Sequence, residues 1–214
     1  MKKSDLDLSP NSPFYLGSVY EQPAELNADH NGSRRKFAPL PPDAYSNDLL
    51  KELVISDLAS IPLDDFWVNS NRSPILIGIH LVRMYATEGR PGVSSPNHPH
   101  QDGEPFTFVH LVQRHGITGG ESQVYQSIQH QKGKAHPGKQ LFHKTLEQPM
   151  ETLAVFDRSV FHHVTAVNVA DGFVEGYRDV VLVDMTPFEE AKFNSQGAVI
   201  LNPDNFIIDL SHAA

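Results

Sequence analysis

Three potential metal ligands stand at alternate positions in the stretch SSPNHPHQDGEPF, residues 94–106: His98, His100 and Asp102. Side chains two apart on a strand project from one face, their Cα atoms roughly 7 Å apart. His100 and Asp102 could therefore grip one cation from a single strand end. Pro99 cannot donate to a sheet ladder and disfavours a paired central strand at that point, which sets His98 off on an entrance loop. Taken alone, the spacing also fits a solvated turn in which Asp102 bonds its own backbone ahead of Gly103. Its position argues for a site, because it directly precedes a strong strand pattern at 106–114, and binding sites gather at the mouths of β-barrels.

One histidine and one aspartate need at least one more protein ligand. The segment DRSVFHHVTAVNV supplies His162 and His163, which as neighbours on a strand face opposite ways. The set Val160, His162, Val164, Ala166 is the more apolar of the two, which favours His162. The chain has no cysteine, so thiolate zinc sites, thiolate-held iron–sulfur clusters, thiol nucleophiles and disulfides are excluded. Two histidines and a carboxylate are the donors of non-haem iron(II) oxygenases, where they leave three positions open on one face. The same donors also bind catalytic zinc, so they do not choose the metal.

Arg178 opens the segment RDVVLVD with Val180 and Leu182 on its own face. An arginine pointing into a barrel must meet a carboxylate or phosphate, ideally through both prongs of its fork. It could pair with an internal Asp or Glu, or hold the distal carboxylate of a dicarboxylate such as 2-oxoglutarate.

The elements that must position these groups are mainly strands. Apolar or alternating runs occur at 74–86, 106–114, 121–128, 141–147, 152–156, 160–169 and 177–185. Several are separated by Gly- and Pro-bearing turns (HGITGGE, KGKAHPGK, ADGFVEG). On 106–114, alternation puts Phe106, Phe108, His110, Val112 and Arg114 on one face. Seven or so short strands without crossover helices predict a β-sandwich or jelly roll. SNDLLKELVISDL, 46–58, predicts one helix capped by Ser46, with Leu49, Leu50, Leu53, Val54 and Leu58 as its apolar stripe. Residues 1–44 read as a polar, proline-marked arm or cover segment. The 214 residues, 39% hydrophobic, suit a single domain. A net charge of −9 disfavours nucleic acid and anionic membrane surfaces. No window approaches the ~18 apolar residues of a membrane span, and Met1-Lys2-Lys3 is followed by polar residues instead of an apolar run. A cytoplasmic protein is expected, monomeric or homodimeric.

The segments HPHQDGEPFTFVHLVQRHGITGGESQVY, FDRSVFHHVTAV and GYRDVVLVDM together resemble the bacterial 2-oxoglutarate/Fe(II) dioxygenases typified by L-isoleucine dioxygenase, the free amino-acid hydroxylases. The resemblance runs from about residue 80 to Met185. It rests on the order His-x-Asp, Gly-Gly-Glu-Ser, a distal His-x-Val-Thr and then Arg-Asp-Val. It implies a double-stranded β-helix, a distorted jelly roll with core 74–186 and a few flanking helices. It also implies Fe(II) on His100, Asp102 and His162, with His163 where a small residue is expected, and it brings in 2-oxoglutarate and O2. Arg178 would anchor the far carboxylate of 2-oxoglutarate, with a hydroxyl from Thr165 or Tyr125. The implied reaction hydroxylates an unactivated C–H bond and converts 2-oxoglutarate to succinate and CO2.

A free amino-acid substrate needs a cation for its carboxylate and an acceptor for its ammonium. Arg83 and Arg114 could serve the first need, Glu104 and Glu121 the second, and Phe106, Phe108 and Trp67 could line an apolar pocket. Two other classes compete: a zinc enzyme on a cupin-like barrel, and a non-catalytic metal- or metabolite-binding stress or sensor protein of the same fold.

Overall fold

The computed structural model describes residues 19–20, 35–38, 40–62, 75–129 and 134–187. Most of the N-terminal arm, and Trp67, lie outside the described residues. By internal contacts the chain divides into two compact units: residues 1–21, 34–76 and 186–214, and residues 22–33 and 77–185.

In the first unit, β1 (Val19–Tyr20) pairs antiparallel with β2 (Arg35–Lys36). Two helices follow, α1 (Pro42–Tyr45) and α2 (Asp48–Ser60). The expected helix is present, shifted by two residues, and its cap is Asn47 instead of Ser46. The Asn47 side chain accepts from Leu50 N at 3.0 Å, satisfying one of the orphan donors of the first turn. Val54 and Leu58 are buried, whereas Leu49 of the anticipated stripe is exposed.

The second unit is mainly β. Its larger sheet runs in the order β3 (Ile75–Thr87), β11 (Glu175–Pro187), β4 (Phe106–His115), β8 (Thr152–Phe156). Its smaller sheet is β7 (His136–Thr145), β6 (Glu121–Ile128), β9 (Val160–Val164). A two-stranded piece pairs β5 (Ile117–Gly119) with β10 (Val167–Val169). The sequence pattern predicts one strand over 160–169, but Thr165 and Ala166 interrupt it, so that β9 and β10 join different partners. The antiparallel arrangement is that of a distorted jelly roll. Two buried clusters knit it: Leu111, Leu146 and Val180 with Val109, Leu153 and Leu182, and Met84, Ala86 and Val167 with Ile117, Val164 and Val169.

Register decides which side chains look inward. On β4, Leu111 pairs with Val180, and the next paired residues are Gln113 with Asp179 and Arg114 with Arg178. Val112 is left over as a bulge, which moves every later side chain to the other face. The expectation that Phe106, Phe108, His110, Val112 and Arg114 share one face is thereby corrected. Phe106, Phe108 and His110 lie opposite to Leu111, and Arg114 lies on the inward face beside Arg178, Val180 and Leu111.

Candidate metal centre

Two strands and one tight loop bring the ligand types together. His100 forms an isolated antiparallel bridge with His162, through His100 N to His162 O at 3.0 Å and His162 N to His100 O at 2.9 Å. The pairing brings the two imidazoles together, inclined at 51° with ring centroids 4.5 Å apart. Asp102 then reaches both: Oδ1 is 3.4 Å from His100 Nε2 and Oδ2 is 3.1 Å from His162 Nε2. One ligand atom from each of the three lies within 4.8 Å of the others.

His162, and not His163, turns toward this point. Both residues are half-buried overall, with the His162 side chain 14% exposed. The difference is register: Val124 pairs with His162 and Gln123 with His163, so the two histidines look to opposite faces of the smaller sheet. His163 meets Gln123 Oε1 and Asn97 Oδ1, each at 3.4 Å.

The donor set fits a divalent metal on two further observations. His100 Nδ1 sits 2.8 Å from the main-chain carbonyl of His98. That acceptor fixes the proton on Nδ1 and leaves Nε2 bare, the usual outer support of a metal-bound imidazole. His98 therefore contributes through its backbone. Secondly, His162 Nε2 and Asp157 Oδ1 are 3.0 Å apart and buried, yet neither has a hydrogen bond of good geometry. Polar atoms arranged around a common ion, and not aimed at one another, look like this.

Asp157 is the residue that sequence reasoning missed. It is fully buried, at the start of a short 3-10 turn, Asp157–Ser159. Its Oδ2 accepts from Gly103 N at 2.9 Å and its main-chain oxygen accepts from Gln101 Nε2 at 2.7 Å. Both donors flank Asp102, so Asp157 fastens the loop that carries a ligand. The signal in the sequence was an acid five residues before His162, on what reads as a turn.

Charge is concentrated here. Burial opposes ionisation of Asp102, but the adjacent imidazoles of His100 and His162 outweigh it and hold the carboxyl well below the usual range. Burial would likewise lower His162, but Asp102 and Asp157 overcome it and push the imidazole up to about 10. Two carboxylates converging on one nitrogen favour a cation there. A proton serves, and a divalent ion competes for the same atom. Burial, followed by the negative charges of Asp184 and Asp102, pushes Glu104 well above the ordinary carboxyl range.

Arg178 stands on the inward face of β11, only 2% exposed. Its Nε and Nη2 have no hydrogen-bond partner among the described residues. Burial first, and then the charge of Arg114, pulls it down to about 10. A buried guanidinium without a counter-ion is costly, and an anionic ligand would relieve that cost.

The remaining candidates are placed as follows. Arg83 is held by both oxygens of Asp179 at 2.7 Å and lies over the Tyr177 ring, so its fork is spent within the chain. Glu121 accepts from Gln123 and His143. Tyr125 donates to Gln123 Oε1 at 2.7 Å, on the face of β6 opposite to His162, and Thr165 Oγ accepts from Glu121 N at 2.9 Å. The buried hydroxyl on the His162 side of β6 is Ser122, paired with Val164. Phe106 packs on Phe156 at 5.1 Å, on the face of β4 turned away from Arg178.

A jelly roll with a His/Asp/His centre, no thiolate and a buried free arginine defines the class of non-haem iron oxygenases that use a dicarboxylate co-substrate. The sequence profile of the 2OG-Fe dioxygenase family matches residues 5–184, and the chain belongs to that family. It is 31% identical over 190 residues to L-isoleucine-4-hydroxylase of Bacillus thuringiensis, covering 85% of this chain and 72% of that one. The crystal structure of IDO from Bacillus thuringiensis superposes with a TM-score of 0.59 at 28% identity, over 72% of this chain and 67% of that one. A bsmA homologue from Methylobium petroleophilum PM1 gives 0.61 at 26% identity, over 80% and 64%. Membership answers the choice between iron and zinc: the protein is an oxidoreductase whose cofactors are Fe(II), 2-oxoglutarate and O2. Among the described residues no helix is long and apolar enough to cross a membrane.

Proposed function

We propose that the protein hydroxylates an unactivated C–H bond of a small free L-amino acid while 2-oxoglutarate is decarboxylated to succinate. The observation that carries the co-substrate half is Arg178, buried with two guanidinium nitrogens unpartnered. The amino-acid half rests on the likeness to L-isoleucine-4-hydroxylase. In this reading residues 74–186 carry the chemistry and 1–44 are an N-terminal arm or cover segment.

His100, Asp102 and His162 hold Fe(II). Bound iron supplies the activation of O2 that couples loss of CO2 from 2-oxoglutarate to oxidation of the substrate. Arg178 receives the far carboxylate of 2-oxoglutarate in a charge-assisted pair. Along the smaller sheet, Val124 pairs with His162 and Ser122 with Val164, and Gly120 N then bonds Ala166 O. Arg178 Cδ lies beside Gly120, four residues along the chain from Val124, the cross-strand partner of His162. Asp157 keeps Asp102 in place, and the apolar lining of Val164, Val180 and Leu182 excludes water.

The test reconstitutes the full chain with Fe(II) under argon, adds 2-oxoglutarate and each free amino acid in turn, admits oxygen, and reads products by mass spectrometry. The expected result is one amino acid gaining a single oxygen atom in step with succinate. Binding of 2-oxoglutarate without turnover on any amino acid would sink the hydroxylase reading in favour of a sensor.

A further inference from the structure

The larger sheet buries a second cation beside Arg178. Through the Val112 bulge, Arg114 becomes the cross-strand partner of Arg178 on the inward face. Like charges directly opposite on adjacent strands are destabilising, and here Arg178 is buried and Arg114 half-buried. Arg114 Nη2 donates to the main-chain oxygen of Gly119 at 2.6 Å, which locks the side chain in place. Its Nη1 is buried and has no partner, like Nε and Nη2 of Arg178. The acid whose field reaches Arg114 is Glu147, and no hydrogen bond joins them.

A glycine makes room for the pair. Gly119 and Gly120 both have left-handed φ, +75° and +70°, which side chains rarely adopt. A Cβ on Gly120 would lie 3.0 Å from Arg114 Nη1, 3.2 Å from Arg178 Cδ and 2.9 Å from Val167 Cγ1. A methyl group at Gly120 would therefore press on both arginine side chains. The two side chains meet at Gly120, each has buried nitrogens without a partner, and among the described residues neither has a hydrogen bond to a carboxylate.

We infer that Arg114 is a second arm of the 2-oxoglutarate site, so that the far carboxylate is held between two guanidinium groups. A carboxylate has two oxygens and about four acceptor positions, enough for one fork and an additional N–H. Arg114 is then a specificity-determining residue that favours 2-oxo acids bearing a distal carboxylate over those without one. This takes Arg114 away from the amino-acid substrate, and it rests on the reading of Arg178 as the anchor.

The experiment is calorimetric titration of the full chain, loaded with Mn(II) under argon, with 2-oxoglutarate and with 2-oxobutanoate, which lacks the far carboxylate. Arg114→Gln is expected to raise the Kd of 2-oxoglutarate about tenfold, the worth of one hydrogen bond to a charged group. The Kd of 2-oxobutanoate and of Mn(II) should stay put. Arg114→Lys, which keeps the charge, should recover part of the loss. Gly120→Ala, which keeps both arginines, should weaken 2-oxoglutarate binding without changing Mn(II) affinity, and so gives an answer even if Arg114→Gln unfolds. The inference is overturned by an Arg114→Gln chain that binds 2-oxoglutarate within twofold of wild type, or that loses 2-oxobutanoate equally. A wild-type chain that binds both acids alike overturns it too. The titration contains no amino acid and no oxygen, so it returns its answer whichever substrate the enzyme takes, and failure of the hydroxylase reading leaves it intact.

Discussion

The two ends of the inward face are built on opposite electrostatic plans. At the metal end, His100, His162, Asp102 and Asp157 carry their counter-charges within the chain, and each contact is 3.0 to 3.4 Å. At the other end, Arg114 and Arg178 stand side by side with buried nitrogens unpartnered and, among the described residues, no carboxylate bonded to them. The first end is organised by the protein and completed by a cation. The second bears an uncompensated cost of burial that only a bound anion removes. Preorganisation without a partner is what lets a ligand contribute binding energy there.

The comparison breaks most readily at the metal end. Asp102→Ala removes a ligand and the group balancing His162, and is expected to cut metal-dependent turnover by more than about 100-fold, beyond what outer-shell changes cost. Metal titration of the purified variant, followed by succinate release, checks it. At the anion end, Arg178→Ala should raise the Kd of 2-oxoglutarate by about 100-fold, since charge-assisted hydrogen bonds contribute ~1.5–3 kcal/mol each. Metal affinity should be unchanged. Equal losses of both affinities in either variant would show that the two ends are not separable.

A finer test uses Asp157. Asp157→Asn keeps the shape but alters the contacts to Gly103 N and His162 Nε2, so metal affinity should fall about ten- to a hundredfold. The loaded enzyme should bind 2-oxoglutarate as wild type does. If its metal affinity were unaltered, Asp157 would be a packing residue only.

The smallest effect lies away from both ends. Backbone N–H groups of Glu147 and Gln148 and the Lys144 ammonium hold Glu151 down at about 2. A carboxyl depressed in the folded state stabilises above its unfolded value near 4.5, and that contribution is lost as pH falls toward 2. Acid unfolding followed by circular dichroism should therefore show a shallower loss between those values in Glu151→Gln than in wild type.

Much of this was legible in residue types. His100, Asp102 and Arg178 announce themselves by spacing and by the strands beside them. The strand content follows from alternation, and five of the predicted strands, at 74–86, 106–114, 121–128, 152–156 and 177–185, lie within two residues of those observed. Alternation failed where one extra residue entered a ladder. Because the side-chain period is two, Val112 reverses the facing of Arg114, and no local feature of FTFVHLVQR marks the bulge. The helix cap moved from Ser46 to Asn47 for a similar reason: both side chains can cap, and the backbone chose.

By itself the sequence determined the chemistry available: imidazole and carboxylate donors without thiolate, one arginine on an apolar strand, and glycine-bearing turns between strands. Those are properties of composition and order, and they restrict the metal and the co-substrate. Only the tertiary structure decided which groups meet. It selected His162 over His163 through the bridge to His100, recruited Asp157 from a turn, and set Arg114 against Arg178. Each of these depends on register between strands tens of residues apart, and register is fixed by packing across the whole barrel, which no short stretch of sequence contains.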